Sequence, residues 1–523
     1  MATRMAPDSL RKFIHNRERP LSVLFFFVYG LAVLYYFNTS SPKLDFNPCP
    51  SPNMYLTIGQ AMFDGFVPYR DLFDGKGMPI FLFNGIGGLI DSDGYIGQWL
   101  VACAFFAWTL YYINRTARLF LNRTHALAGT LLMSFFILFQ RRMYLTGAMG
   151  DEFTMPMIAM GIYYFLILGK DTCSFKKLCI FGCLGGLLLA CKFTLASFWF
   201  VLAFAVLAEA WRHLGFRAAC KRAGMIAIGA AFILIPCIAY FAWHGALDAY
   251  VEGYIVFHTY HVTESTSNRI FYLVRGVMDY PDYILLILAG MAYWIAAASR
   301  GYSRFRRIGL PVSFIAMYLA VFAGSMFSAY YLLSLIPFAT FGVIYLLHDM
   351  GDRTLPFLRR AAATGCCIAF LFLLSREASS LITDRGKTPD FSLETLKRQK
   401  QELADLAQAI SQESAHPTVL CFGCFDNGIY RRLGIIPNVP RYQLVNFDPQ
   451  GKTLQRQYVR EHRCEFILVN LSDVKQEEMP SIDAFLRECG YRPLFADNLR
   501  SVPWLVYRRT PGSSANTIDI QTP

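Results

Sequence analysis

Residues 22–37 read SVLFFFVYGLAVLYYF, and no charged side chain interrupts them. A helix needs about 17–25 apolar residues to cross the hydrocarbon core of a bilayer, so this run and its flanks suffice for one span. Basic residues precede the run, but it ends in bulky aromatic residues and not in the small residues of a signal-peptide cleavage site. The stretch therefore predicts an uncleaved first membrane helix.

Comparable runs recur along the 523 residues, of which 55% are hydrophobic and only 16% charged. Soluble domains carry about 25% charged residues, so this composition excludes an ordinary soluble protein. We predict a polytopic α-helical membrane protein with about eleven spans, at 22–37, 97–113, 124–140, 153–169, 177–191, 193–211, 225–243, 282–298, 309–326, 329–347 and 361–375. The short, glycine-rich run 78–90 predicts an interfacial or re-entrant helix.

The basic residues are unevenly distributed between the loops. Most precede the first run or lie in every second loop after it, for example in 212–222 and 300–307. Short cytosolic loops of membrane proteins carry such an excess of lysine and arginine. We therefore predict a multi-pass protein of the plasma (inner) membrane with a cytoplasmic N-terminus. This reading accounts for the net charge of +12 without nucleic acid as a partner.

The chain changes character after the last predicted span. An amphipathic helical pattern occupies 392–412. Strand-like segments follow it, namely TVLCFG (418–423), FILVN (466–470) and WLVYRR (504–509). This alternation predicts a small α/β domain, which an odd number of spans places outside the cytosol. We divide the chain into a transmembrane domain, 1–375, with a first extracytoplasmic loop at 38–96, and an extracytoplasmic α/β domain, 376–523.

Acidic residues concentrate in two of the segments that we predict to face outward, 45–76 and 141–152. In the second segment, Asp151 and Glu152 open a membrane helix, where the helix dipole stabilises a carboxylate but burial without a partner is costly. Basic residues on the same side are Lys76, Arg141 and Arg142. Acids and bases held together at a bilayer surface suit polar chemistry on a lipid-phosphate substrate.

Residues 51–79, SPNMYLTIGQAMFDGFVPYRDLFDGKGMP, resemble the first extracytoplasmic loop of GT-C-fold glycosyltransferases, which use polyprenyl-phosphate sugars. The nearer match is the bacterial family-39-like group, relatives of protein mannosyltransferase and aminoarabinose transferase. The matching loop residues are Asn53, Tyr55, Thr57, Gly59, Gly65, Tyr69, Arg70, Asp71, Phe73, Asp74, Lys76 and Gly77. Asp151-Glu152 with Pro156 are similar to the group's second acidic element, and 427–446 is similar to a segment of its tail.

The resemblance implies a GT-C-like fold that moves a hexosyl- or pentosyl-type sugar from a polyprenyl-phosphate donor in the membrane. The acceptor would be a glycan, lipid or protein of the bacterial cell envelope. The implied catalytic acids are Asp71, Asp74, Asp151 and Glu152. The implied substrate-binding residues are Ser51, Asn53, Tyr55, Arg70, Lys76, Arg141 and Arg142, with Lys76 and one of the two later arginines at the donor phosphate. Purely structural roles stay open for several of them, such as a turn held by Arg70 and Asp71.

One departure from the group's pattern divides the hypotheses. The first-loop aspartate, expected to be the base that activates the acceptor hydroxyl, falls on Ser51. Serine at its normal pKa cannot replace such a carboxylate, which is worth roughly 10²–10⁴-fold in rate. The chain is then either an enzyme with a displaced base or a catalytically inactive GT-C-like binding or assembly protein of envelope glycan synthesis. The candidates for a displaced base are Asp45, Asp71, Asp74, Asp151 and Glu152. A transporter is disfavoured, because the predicted spans hold almost no ionisable residues at their centres.

Cofactors are less clearly indicated. His258 and His261 lie in an outward segment, and the tail contains a C-x-x-C at Cys421 and Cys424. Both spacings are weak metal signals, so we assign no metal ligand and leave a divalent metal open. A disulfide among the tail cysteines is equally open.

Overall fold

A computed structural model describes residues 8–139, 147–168, 174–259, 266–322, 328–351, 364–365, 368, 392–446, 448–494 and 502–510. The helices of the first half are α1 (Asp8–Phe37), α2 (Pro50–Phe63), α3 (Met78–Ile90), α4 (Ile96–Ala117), α5 (Arg123–Phe139), α6 (Gly150–Ile167), α7 (Phe175–Cys191), α8 (Ala196–Leu214) and α9 (Phe216–Trp243). A short 3₁₀ turn, Phe193–Leu195, separates α7 from α8.

The second half continues with shorter helices. They are α10 (Leu247–Tyr250), α11 (Thr266–Met278), α12 (Pro281–Tyr293), α13 (Arg304–Phe322), α14 (Ile336–Gly351), α15 (Leu393–Glu413), α16 (Ile429–Leu433), α17 (Gly451–Arg460) and α18 (Met479–Glu488). Single π-helical turns extend α10 at Val251–Val256 and α12 at Trp294–Ala298, and a 3₁₀ segment, Ala329–Leu335, precedes α14.

The predicted spans coincide with helices. Each predicted run from 22–37 to 329–347 overlaps a helix of the structure, and the run 78–90 is the 13-residue helix α3. Six described helical segments are long and apolar enough to cross a membrane, namely Glu18–Phe37, Ile96–Ala117, Phe193–Leu214, Phe216–Trp243, Arg304–Phe322 and Tyr330–His348. The predicted run 361–375 lies almost entirely outside the described residues, so the count of eleven stays a prediction.

Two of these helices leave most of their apolar surface uncovered. Only 17% of the most apolar 18-residue stretch of α1 is buried, and the same share of the corresponding stretch of α9. On α9 the side chains of Phe232 and Ile235 are 73% and 63% exposed. Monomeric soluble proteins rarely expose so much contiguous apolar surface, and a lipid environment accounts for it.

The chain groups into two compact units. The first comprises Met1–Lys43, Trp99–Cys237 and Glu264–Arg385. Within it α8 packs along α13 and α12 along α14. A Cβ on Gly290 of α12 would lie 2.3 Å from the backbone nitrogen of Gly342 on α14, so glycine lets the two backbones approach. A buried ion pair, Arg306 with Glu209 at 2.6 Å, joins α13 to α8.

The second unit comprises Leu44–Gln98, Ile238–Thr263 and Gly386–Pro523. Its helices α2 and α3 touch at Gly59 and Gly85, where a Cβ on Gly59 would lie 2.2 Å from the carbonyl oxygen of Phe81. Residues 44–96 of the predicted first extracytoplasmic loop thus belong to the same compact unit as the tail. The proposed division of the chain at residue 375 stays a prediction.

A four-stranded sheet forms in the tail, in the order β1-β2-β4-β3. Its strands are β1 (Val419–Cys421), β2 (Phe466–Asn470), β3 (Tyr491–Pro493) and β4 (Trp504–Arg509). β1 pairs with β2 in parallel, and β4 pairs antiparallel with both β2 and β3. The three predicted strands and the helix predicted at 392–412 are confirmed, whereas β3 lacks the apolar run that would have revealed it.

Candidate functional site

The segment between α2 and α3 is a tight, hydrogen-bonded turn. The backbone N–H of Tyr69 donates to the carbonyl of Leu72 at 2.7 Å, and its phenol donates to the carbonyl of Lys76 at 2.6 Å. Tyr69 has a φ of 70°, a left-handed conformation that non-glycine residues rarely adopt. Its buried ring packs against Phe81 and Tyr250, which compensates for this strain.

Asp74 lies inside this turn, beside Lys76. Its side chain is only 4% exposed and accepts the backbone N–H of Lys76 at 2.8 Å. Burial raises the pKa of Asp74 above its ordinary value, against the opposing positive charge of Lys76 and two backbone hydrogen bonds. A buried carboxylate with a raised pKa is a stronger base than an exposed one.

Tyr55 and Ser51 complete the same cluster from α2. The phenol of Tyr55 is buried, and burial raises its pKa although the charge of Lys76 acts in the opposite direction. Asp74 also acts electrostatically on Tyr55, and the half-buried Ser51 hydrogen-bonds to its hydroxyl. The structure therefore brings together four of the predicted site residues, Ser51, Tyr55, Asp74 and Lys76. We call them the first-loop cluster.

Arg70 and Asp71 form a separate, more exposed pair. The guanidinium of Arg70 donates to both carboxylate oxygens of Asp71 at 2.8 Å, and also to the carbonyl of His244. Their side chains are 45% and 26% exposed. The bonds from Arg70 hold the pKa of Asp71 below its usual range, so this carboxylate is the weaker base of the two in the turn. The pair lines a cleft of about 360 Å³ together with Asp64, Pro437, Asn438 and Pro440.

Asn53 is fully engaged by its own surroundings. Its amide nitrogen donates to the carbonyls of Asn47 and Cys49 at 2.8 and 3.0 Å. Its oxygen accepts the phenol of Tyr95 at 2.7 Å, and the side chain is 1% exposed. These bonds support a structural role, and contact of Asn53 with a sugar stays a prediction.

The tail segment 427–446 packs on the first loop. The N–H of Phe73 donates to the carbonyl of Pro440 at 3.0 Å, and the guanidinium of Arg441 lies 3.6 Å from the centre of the Phe73 ring. Farther along, Arg431 donates to the carbonyl of Gly94. Two of the segments that carry the family resemblance, far apart in sequence, therefore stabilise each other's conformation.

The first unit holds the second acidic element. Asp151 and Glu152 lie in the first turn of α6 and are 1% and 4% exposed. The ammonium of Lys192 contacts both carboxylate oxygens of Asp151 at 3.0 and 3.1 Å, and the hydroxyl of Ser334 donates to it at 2.7 Å. Glu152 accepts the N–H of Ala148 and caps its own helix. Asp151, Lys192 and Ser334 form what we call the α6 cluster.

The sequence pattern does not identify Lys192 and Ser334 as site residues. Lys192 is the only charged residue between the predicted spans 177–191 and 193–211, and its ammonium also lies 4.1 Å from the ring centre of Tyr331. The sequence feature that could have identified Lys192 is its position as a lone lysine between two apolar runs. No sequence feature distinguishes Ser334, because serine is common in membrane helices. The predicted Arg141 and Arg142 lie outside the described residues.

Metal-binding features are sparse in the described part of the chain. There, no group of three or more His, Cys, Asp or Glu side chains is placed to hold a metal ion. His258 is hydrogen-bonded through Nε2 to the carbonyl of Gly75 at 2.6 Å, and His261 lies outside the described residues. In the tail, Cys421, Cys424, Cys464 and Cys489 are free thiols. The disulfide left open above is therefore not formed among these four.

Comparison with known proteins shows the fold. Neither protein-family profiles nor curated proteins match the chain. Among solved structures, ArnT from Cupriavidus metallidurans bound to undecaprenyl phosphate matches with a TM-score of 0.61 at 13% identity, covering 94% of this chain and 98% of that one. Its apo state matches with a TM-score of 0.57 at 14% identity, covering 92% and 97%.

A second kind of neighbour has the same architecture. The oligosaccharyltransferase AglB from Archaeoglobus fulgidus, in complex with an inhibitory peptide and a dolichol-phosphate, matches with a TM-score of 0.51 at 10% identity, covering 96% of this chain and 75% of that one. Both neighbours are GT-C-fold glycosyltransferases. The protein therefore has the GT-C fold, as its first loop predicted, and it is a multi-pass membrane protein.

Proposed function

We propose that this protein is a glycosyltransferase that moves a sugar from a polyprenyl-phosphate donor to an acceptor of the cell envelope, on the extracytoplasmic face. The observation that carries the proposal is the first-loop cluster, in which Asp74 is buried beside Lys76. The GT-C fold supports it, since the ArnT neighbour is bound to undecaprenyl phosphate. In this proposal Lys76 faces the donor phosphate, where an ammonium group is a suitable partner.

Asp74 is the best candidate for taking the acceptor proton among the four catalytic acids that the family resemblance implies. The pKa of Asp74 is raised, as a general base at neutral pH requires, whereas Arg70 lowers the pKa of Asp71. Asp151 is already bound by Lys192 and Ser334, and Glu152 caps its own helix. Asp151 and Glu152 therefore suit a role in holding charged substrate groups in place.

Transfer by the purified protein in liposomes tests the proposal. The donor is a radiolabelled polyprenyl-phosphate sugar and the acceptor is the envelope fraction of the source cells. We expect Lys76→Met to lower transfer at least tenfold, because the donor phosphate loses its cation. Lys43→Met, an exposed substitution of the same kind on the predicted outward side, is the matched control. Equal transfer by the Lys76 and Lys43 variants would contradict the role of Lys76.

A second candidate function is a binding or assembly protein that retains the fold without catalysis, and Ser51 favours it. Ser51→Asp separates the two candidates. With Asp74 as a displaced base, an aspartate at position 51 adds no activity, because the proton already has an acceptor. A gain of transfer in Ser51→Asp would identify a decayed site instead. Binding of the donor without turnover by the wild type would support the assembly role.

A further inference from the structure

A pocket rich in arginine lies among α1, α4 and α5, within the first unit. It has a volume of about 70 Å³, which is several times the roughly 10–15 Å³ that one water molecule needs on the same measure. Its lining consists of Glu18, Arg19, Ser22, Tyr111, Asn114, Arg115, Arg118 and Arg123. We call it the arginine pocket. None of its residues belongs to the first-loop cluster or the α6 cluster.

The charges of the arginine pocket are strongly unbalanced. Four arginines line it against one glutamate. Glu18 is already shared by Arg118 at 2.6 Å and Arg123 at 3.2 Å. Arg19 has no carboxylate within ion-pair distance in the described part of the chain. Like-charged guanidinium groups repel each other when they converge without an anion, so an anionic ligand would stabilise this arrangement.

Part of the pocket is organised before any ligand binds. Arg115 is half-buried, donates to the hydroxyl of Tyr163 and lies 5.1 Å from the centre of that ring. Asn114 is buried and donates to Thr130 at 3.1 Å. A planar guanidinium held in one orientation presents a fork of N–H donors that matches the oxygens of a phosphate group.

An apolar surface adjoins the pocket. On α1, within two turns of Arg19, the side chains of Leu21, Leu24 and Phe25 are 61%, 56% and 46% exposed. Because α1 is one of the candidate spans, this surface faces lipid. A ligand that fits both features has an anionic head for the arginines and hydrocarbon chains for the exposed face of α1.

We propose that the arginine pocket binds the phosphate headgroup of an anionic membrane phospholipid, in the leaflet that the basic loops predict to be cytosolic. The positive-inside rule alone explains an excess of arginine on this side, but it requires no convergence on a cavity. Arg212 and Arg217 illustrate the difference, since both are exposed on the same predicted side and neither lines the arginine pocket. This inference is independent of the proposed transferase activity.

Native mass spectrometry of the detergent-purified protein tests the site. The probe is an equal mixture of phosphatidylglycerol and phosphatidylcholine with identical acyl chains. We expect phosphatidylglycerol to bind preferentially to the wild type. The Arg19→Gln, Arg123→Gln double variant should bind it about tenfold more weakly, because each arginine near a membrane phosphate contributes a several-fold gain.

The matched control is the Arg212→Gln, Arg217→Gln double variant, which removes the same charge from the same predicted side and should keep the wild-type preference. Equal losses in both double variants, or no loss in either, would overturn the site. Binding of inorganic phosphate to the wild type, with no phosphatidylglycerol adduct, would overturn the choice of a phospholipid and identify a soluble phosphate compound as the ligand. Should the first variant fail to give a monodisperse protein, Arg19→Gln alone, at an exposed side chain, replaces it with a several-fold loss expected.

Discussion

The first-loop cluster and the α6 cluster both place a buried aspartate beside a lysine, but they are assembled differently. Asp74 and Lys76 are two residues apart in one tight turn, and the backbone N–H of Lys76 binds the carboxylate directly. Asp151 and Lys192 are 41 residues apart and meet only because α6 and the end of α7 pack together. Backbone hydrogen bonds thus stabilise the first carboxylate, and a distant cation stabilises the second.

This difference predicts unequal responses to the loss of the lysine. Lys192→Met leaves Asp151, only 1% exposed, without its cation, and removal of one partner of a buried pair costs about 3–5 kcal/mol. We expect a correspondingly large fall in thermal stability in detergent. Adding Asp151→Asn to this variant should restore most of the loss. A Lys192→Met protein as stable as the wild type would show that Asp151 does not depend on Lys192.

Asp74→Asn is expected to act on activity and not on stability. If Asp74 takes the acceptor proton, the variant loses roughly 10²-fold or more in transfer. Its stability should change little, because the raised pKa of Asp74 shows that the folded protein tolerates the neutral form. Asp93→Asn, an exposed substitution in the same loop, is the control. Full transfer by Asp74→Asn would show that Asp74 does not take the acceptor proton and that another group does.

The pH dependence of the same variant sharpens the comparison. Since the folded pKa of Asp74 lies above its ordinary value of 3.8, the folded protein binds this proton more tightly than the unfolded chain does. The contribution of Asp74 to stability is therefore full below about pH 4 and is lost as pH rises through the folded pKa. Thermal unfolding across this pH range should show that the stability of the wild type declines with rising pH and that the stability of Asp74→Asn declines less. Transfer by the wild type should rise over the same range as Asp74 ionises.

The smallest effect is expected at the exposed pair. Arg70 and Asp71 are adjacent in sequence and partly exposed, and exposed ion pairs contribute about 0.2–1 kcal/mol. Arg70→Gln should therefore lower thermal stability only slightly, and the loss should shrink further in high salt. A destabilisation as large as that of Lys192→Met would mean that the turn depends on Arg70 far more than its exposure indicates.

The contacts of the candidate residues were predictable where they depend on local structure. The first-loop motif alone points to Asp74 and Lys76, because the turn that joins them is encoded by Tyr69, Gly75 and their neighbours. Lys192 and Ser334 were not identified, since nothing in the residues around Asp151 indicates which distant helix end will lie beside it. Asn53 was predicted as a sugar ligand, yet its bonds to Asn47, Cys49 and Tyr95 depend on the fold of the whole loop.

Sequence alone determined the membrane class, the apolar helical segments and three of the four strands of the tail, because apolar runs and alternation are local properties of the chain. Only the tertiary structure decided which charges are neutralised and which side chains are buried. The packing of 427–446 on the first loop, through Phe73 and Arg441, is one such result. The salt bridge between Asp151 and Lys192 is another. Both join residues far apart in the chain, and such contacts depend on how helices pack.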